Sequence, residues 1–95
     1  EIFCLCHLGW LENRAGHPDE ALNYLRDGLA LAERLDSRSE QSRLYAGLAE
    51  AHRLLGNTRL SKAFAMKSLE LARRHGRLYD LGKAERVFAS LQGSL

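Results

Sequence analysis

The sequence predicts an all-α protein, a right-handed solenoid built from antiparallel helix pairs, with about five helices. Three observations support this fold class. The chain repeats itself at an offset of 40 residues, its apolar residues recur at helical spacing, and glycines fall between the apolar runs. No segment sustains the alternation of apolar and polar residues that predicts a strand, so the helical pattern is the one that the chain follows.

The repeat is visible as identical residues 40 positions apart. The matching pairs include Leu8/Leu48, Gly16/Gly56, Leu29/Leu69, Leu31/Leu71, Ala32/Ala72, Arg34/Arg74 and Ala49/Ala89. Small residues also stay in register, as in Gly9/Ala49 and Gly28/Ser68, which indicates helices in close contact. A fixed period of this length is typical of stacked helical units. We expect units at about 2–37 and 38–77 and a partial unit at 78–95.

Helix ends are marked by residues with special backbone preferences. Gly16 and Gly56 each suit a left-handed C-terminal cap, and Pro18 suits the first turn of the helix that follows. The segment from Ser37 to Glu40 fits a capping box. Together with the apolar spacing, these signals predict helices at about 2–15, 18–35, 38–55, 58–75 and 78–92.

Composition fits a folded domain and argues against several classes. Hydrophobic residues make up 45% and charged residues 27% of the chain, with one proline, which is neither a disordered nor a fibrous composition. No apolar run approaches the roughly 18 residues that span a bilayer, so we expect a cytoplasmic protein without membrane contact. Because the first residue is Glu1 and not methionine, we expect a fragment of a longer protein.

Charge is distributed unevenly between the two halves. Residues 1–50 hold five Lys/Arg against nine Asp/Glu, and residues 51–95 hold nine against three, within a net charge of +2. This asymmetry suggests polar stacking or a directional binding surface. Because the basic residues are spread through helical patterns and not clustered, nucleic-acid binding is not expected of this segment.

The spacing of large and small residues resembles the tetratricopeptide repeat (TPR) pattern. Its opening is matched by Leu5-x2-Leu8-Gly9, by Tyr45-x2-Leu48-Ala49 and, less well, by Glu85-x2-Phe88-Ala89, and its second half by Ala21-x3-Leu25 and Ser61-x3-Ala65. Glu12 and His52 replace the pattern's tyrosine. The 40-residue unit resembles the long repeats of Pins-type scaffolds and MalT-like bacterial activators. HEAT or armadillo units have similar lengths, but the leucine-glycine signature favours the tetratricopeptide class.

This resemblance implies a concave groove lined by the first helix of each unit. The predicted peptide-binding residues are Trp10, Asn13, Arg14, Arg43, Glu50, Arg53, Lys83 and Arg86, and the same face carries Phe3, Cys6, Ala46, Leu54 and Ser90. Basic side chains dominate it, with Glu50 as the acidic exception. Arginine binds carboxylates bidentately, and Trp10 offers an apolar contact. We expect a protein or peptide partner with acidic side chains, against the alternative of a merely solvated basic face.

Catalysis, cofactors and metal binding are not expected. Cys4 and Cys6 are two residues apart on a helix and point away from each other, so they cannot share one ion. His52 is expected to pack against the second helix of its unit, and Tyr24, Phe64 and Phe88 are expected to pack between helices. No nucleophile with a partnering base emerges.

Three functions remain open from the sequence. The first is a protein-interaction module or scaffold within a signalling or transcription regulator. The second is a structural spacer that self-associates, as a homodimer, through exposed solenoid ends. The third is a ligand-sensing segment of a MalT-like activator, although 95 residues form less than one superhelical turn.

Overall fold

The computed structural model describes residues 2–75 of the 95-residue chain. Within that range, four helices follow one another: α1 (Ile2–Arg14), α2 (Pro18–Arg34), α3 (Arg38–Leu54) and α4 (Thr58–His75). Each begins and ends within one residue of its predicted range, and the all-α prediction is confirmed. The fifth predicted helix, at 78–92, lies outside the described residues.

The three turns that join these helices share one geometry. A residue with positive φ closes each helix, namely Gly16 (83°), Asp36 (53°) and Gly56 (79°). The following N–H then donates to a carbonyl five residues earlier, in the pairs His17 to Glu12, Ser37 to Ala32 and Asn57 to His52, each at 2.8 Å. These are Schellman caps. The predicted glycine caps are confirmed, and Asp36 adds one that no glycine signalled.

Of the two features predicted at helix starts, the proline is confirmed and the capping box is not. Pro18 occupies the first turn of α2, as predicted. The capping box at Ser37 is wrong, because the Ser37 side chain makes no capping hydrogen bond. The Ser37 N–H that Glu40 would have to reach already donates to Ala32, and the Glu40 carboxylate instead lies 3.9 Å from Arg43.

The core is centred on Leu25 of α2, which is fully buried between glycines of two other helices. A Cβ atom added to Gly9 of α1 would lie 2.5 Å from Leu25 Cγ, and one added to Gly47 of α3 would lie 2.8 Å from Leu25 Cδ2. Contacts this short are possible only where no side chain intervenes. Leu25 therefore fixes the spacing of α1 and α3 across α2.

Serine hydroxyls join α3 to α4. Ser42 Oγ donates to the Ser68 carbonyl at 3.0 Å, and Ser68 Oγ donates to the Ser42 carbonyl at 2.7 Å. Ser61 Oγ donates to the Ala49 carbonyl at 2.6 Å. All three serines are buried, so the pair of helices is held together by buried polar contacts. The close helix contact predicted from the small residue at position 49 is confirmed by this bond between Ser61 and Ala49.

Candidate functional site

Two of the helices predicted to line the groove, α1 and α3, lie side by side. Asn13 Nδ2 of α1 donates to the Gly47 carbonyl of α3 at 3.1 Å, and the bond is buried. The half-buried indole of Trp10 lies against the same glycine, since Trp10 Nε1 would be 3.4 Å from a Gly47 Cβ. A larger residue at position 47 would push the indole away. Trp10 therefore lies over the junction of α1 and α3.

Asn13, a predicted site residue, is buried and links α1 to α3. Its side chain is 5% exposed, and its amide group is bonded to α3. Cys6 and Ala46 of the same face are also buried. These three residues form the floor of the surface and offer little to a ligand, whereas Arg14 and Leu54 are exposed at its edge.

Arg43 and Glu50 flank Gly47 along α3. They lie four residues before it and three residues after it, so all three positions share one side of the helix. Trp10 covers that side at Gly47. Trp10 and the α3 positions of Arg43 and Glu50 therefore lie on one side of α3.

The two α3 arginines of the predicted groove, Arg43 and Arg53, are paired with carboxylates of their own helix. Arg53 Nε donates a hydrogen bond to Glu50 Oε1, and Arg43 Nη1 lies 3.9 Å from Glu40 Oε2. The hydrogen bond to Glu50 raises the pKa of Arg53. An acidic ligand would have to compete with these two glutamates. Glu40, three residues before Arg43, was readable as a partner from its spacing but was not among the predicted site residues.

Lys83 and Arg86 of the predicted groove, together with Ser90, lie outside the described residues. The site can therefore be described from α1 and α3 alone. Its polar groups are arranged along α3 from Arg43 to Arg53, and its aromatic group comes from α1.

A column of rings on the α3–α4 pair was predicted only in parts. The Phe64 ring stacks on Tyr45 with centroids 5.9 Å apart and on His52 with centroids 5.5 Å apart. The ammonium of Lys67 lies 5.4 Å from the Tyr45 centroid. The packing predicted for Phe64 and His52 is confirmed. Tyr45 was the missing member, and its spacing of seven residues from His52 on α3 is the signal for it.

Burial shifts the pKa values of two titratable side chains in this column. His52 is only 6% exposed, and its desolvation, followed by the positive charge of Arg26, lowers its pKa. Desolvation, followed by the negative charge of Glu33, raises the pKa of the Tyr45 phenol. Both groups are therefore held in their neutral forms.

Residues 2–75 contain neither a candidate metal site nor a helix that could span a membrane. Cys4 is exposed and Cys6 is buried, so their thiols face in different directions as expected from helical geometry. No group of three or more His, Cys, Asp or Glu side chains in this range could hold a metal ion. Nor is any of the four described helices both long and apolar enough to cross a membrane.

Comparison with known proteins gives one informative match. No family model and no curated protein matches the sequence. Among solved structures, the TPR domain of Arabidopsis FLU is similar to this chain with a TM-score of 0.74, covering 98% of this chain and 92% of that one. Sequence identity is 18%, so the likeness concerns the fold. The chain therefore has the fold of a TPR domain.

Proposed function

We propose that this chain is a protein-interaction module that binds a peptide or helix carrying acidic and apolar side chains on the surface shared by α1 and α3. The observation that supports it best is the packing of Trp10 against Gly47, because Arg43 and Glu50 flank that glycine on α3. An indole beside guanidinium groups offers an apolar contact and bidentate carboxylate recognition together. In this proposal the chain catalyses no reaction.

The internal ion pairs define how such a ligand would bind. Arg53 is bonded to Glu50, so a ligand carboxylate gains a guanidinium only by displacing that glutamate. Binding should therefore be an exchange of carboxylates around Arg53, with modest affinity and strong dependence on salt. Removing the Glu50 charge should strengthen the binding of an acidic peptide.

The chain contains one tryptophan, so its fluorescence reports on this surface. We would titrate the 95-residue chain with a tryptophan-free peptide rich in glutamate and leucine and follow the Trp10 emission. Replacing Arg43 and Arg53 together with alanine should weaken binding about tenfold or more, since hydrogen bonds to charged groups contribute about 1.5–3 kcal/mol each. Glu50→Gln should tighten binding.

A matched control uses two exposed arginines away from this surface, Arg34 of α2 and Arg59 of α4. Their double alanine variant removes the same net charge and should bind the peptide as the parent chain does at physiological salt. Equal losses in the two double variants would mean that only net charge matters. Unchanged affinity in the Arg43 and Arg53 variant would refute the proposed surface.

The wider role in this proposal is that of a scaffold within a cytoplasmic signalling or transcription regulator. Its support is the 40-residue unit, which resembles those of Pins-type scaffolds and MalT-like activators. Deleting this segment from the regulator that carries it should abolish partner recruitment while leaving the expression of the remaining domains intact. Retained recruitment would contradict the role.

A further inference from the structure

Each arginine of the proposed surface is paired with a carboxylate three residues before it on α3. Arg43 lies 3.9 Å from Glu40, and Arg53 donates a hydrogen bond to Glu50. The two arginine side chains are 20% and 36% exposed, so both reach the protein surface. Long side chains on a helix point towards its N-terminus. The two guanidinium groups are therefore displaced from their own Cα atoms in the same direction.

Because of this common displacement, the guanidinium groups are separated by the ten residues that separate their positions on α3. At a rise of about 1.5 Å per residue, ten residues span about 15 Å along the helix axis. Gly47, where the indole of Trp10 lies against the helix, is close to the midpoint between the two ion pairs. The surface thus offers a cation, an aromatic ring and a second cation in one row, at steps of about 7–8 Å.

An extended peptide matches both steps of this row. Every second side chain of a strand points to the same side, and two residues advance the chain by about 6.6 Å. Carboxylates at positions i and i+4 are then about 13 Å apart, with the side chain at i+2 midway between them. The flexible side chains of glutamate and arginine cover the remaining difference.

A helical ligand matches this row less well. Its side chains return to one side after three or four residues, and after seven residues they have advanced by about 10.5 Å. The return after eleven residues comes at about 16.5 Å, so a helix needs more than twice the length of chain to carry the same two carboxylates. A short peptide is only marginally helical in water, and ordering it into a helix opposes binding.

We infer that the ligand of the proposed surface is an extended segment with acidic residues at positions i and i+4 and an apolar residue at i+2. One carboxylate takes the place of Glu40 on Arg43. The other takes the place of Glu50 on Arg53, and the apolar side chain contacts Trp10. This inference rests on the proposed function and adds to it the spacing that the surface recognises.

Three peptides of equal composition test the spacing. Each has twelve residues and blocked termini, with two glutamates, one leucine and glutamine elsewhere. In the strand-spaced peptide the glutamates are first and fifth and the leucine is third. In the clustered peptide the glutamates are first and second and the leucine is third, and in the helix-spaced peptide the glutamates are first and last and the leucine is fifth. Because the net charge is the same, a difference in affinity reports on the spacing.

The emission of Trp10, the one tryptophan of the chain, measures the three affinities. The strand-spaced peptide should bind about tenfold more tightly than the other two, the ratio expected for one additional hydrogen bond between charged groups. Arg43→Ala removes one of the two carboxylate contacts, so the strand-spaced and clustered peptides should then bind equally. Arg34→Ala, at an exposed position of α2, removes the same charge and should preserve the preference.

The possible failures of the inference and of the proposed function give different results. Equal binding of the three peptides by the parent chain would overturn the spacing and leave the proposed surface standing. Tightest binding of the helix-spaced peptide would overturn the extended form of the ligand. A preference that persists in Arg43→Ala would show that this arginine does not bind the first carboxylate. Absence of binding by all three peptides would overturn the surface and the spacing together.

Discussion

Ser42 of α3 and Ser68 of α4 exchange hydrogen bonds, each hydroxyl donating to the backbone carbonyl of the other residue at 3.0 and 2.7 Å. Both side chains are buried, at 1% and 0% exposure. Serine is small enough to let the helices approach and polar enough to join them once they meet. The seam between α3 and α4 therefore combines close packing with directional bonds.

Ser42→Ala and Ser68→Ala should each lower the free energy of unfolding by about 1 kcal/mol, the usual net contribution of a buried hydrogen bond. Urea denaturation followed by circular dichroism would measure the change. Ser37→Ala is the control, because the Ser37 side chain makes no capping bond, and it should cost less than about 0.5 kcal/mol. Equal losses at Ser37 and Ser42 would contradict the importance of the exchanged bonds.

Asp36→Gly should stabilise the chain. Asp36 has φ 53° at the same turn position where Gly16 and Gly56 stand, and a left-handed conformation costs a residue with a Cβ about 1–2 kcal/mol. The exposed ion pair with Arg38 contributes little to oppose the gain. Thermal unfolding should show a higher Tm for Asp36→Gly and a lower Tm for Gly56→Ala. A lower Tm for Asp36→Gly would show that the ion pair outweighs the strain.

Gly9→Ala should destabilise the chain by roughly 1–3 kcal/mol, the range for overpacked cores. The new methyl group would meet Leu25 Cγ at 2.5 Å, and Leu25 cannot turn away because Gly47 holds its other side. Adding Leu25→Ala should make the double variant more stable than the sum of the single losses predicts. A Gly9→Ala variant that gains stability would mean that helix propensity outweighs the contact.

Acidification should weaken the fold through His52. Its pKa is lowered in the folded chain from the ordinary 6.5, so between the two values the unfolded chain binds more protons. Stability is full above about pH 6.5 and falls as the pH drops below it towards the folded pKa. Urea midpoints at a series of pH values should show this fall, and His52→Gln should remove it. His17→Gln, at an exposed position, should leave it in place.

Local signals were enough to predict the four described helices. Gly16 and Gly56 marked two ends and Pro18 one start, and apolar spacing supplied the rest. The turn at Asp36 was not predicted as a left-handed cap, because the residue with positive φ there is not a glycine. The capping box at Ser37 fails because the Ser37 N–H already donates to Ala32 in that turn.

One contact of the predicted groove could be predicted from the sequence and another could not. The pairing of Arg53 with Glu50 follows from a spacing of three residues on one helix, so it was readable in advance. The hydrogen bond from Asn13 to the Gly47 carbonyl could not be predicted, because it depends on the position of α1 along the axis of α3. Asn13 and Gly47 are 34 residues apart in the chain, so their contact is determined by how the helices pack and not by any local sequence pattern.

The left-handed residues Gly16, Asp36 and Gly56 follow one another at intervals of 20 residues. Inserting one residue within a helix would rotate everything beyond it by about 100°, and contacts such as that of Leu25 with Gly47 would be lost. Copying a whole 40-residue block would leave every turn and every facing side chain in phase. This architecture therefore tolerates growth by duplication of complete helix pairs, while single-residue insertions and deletions are tolerated only in the turns.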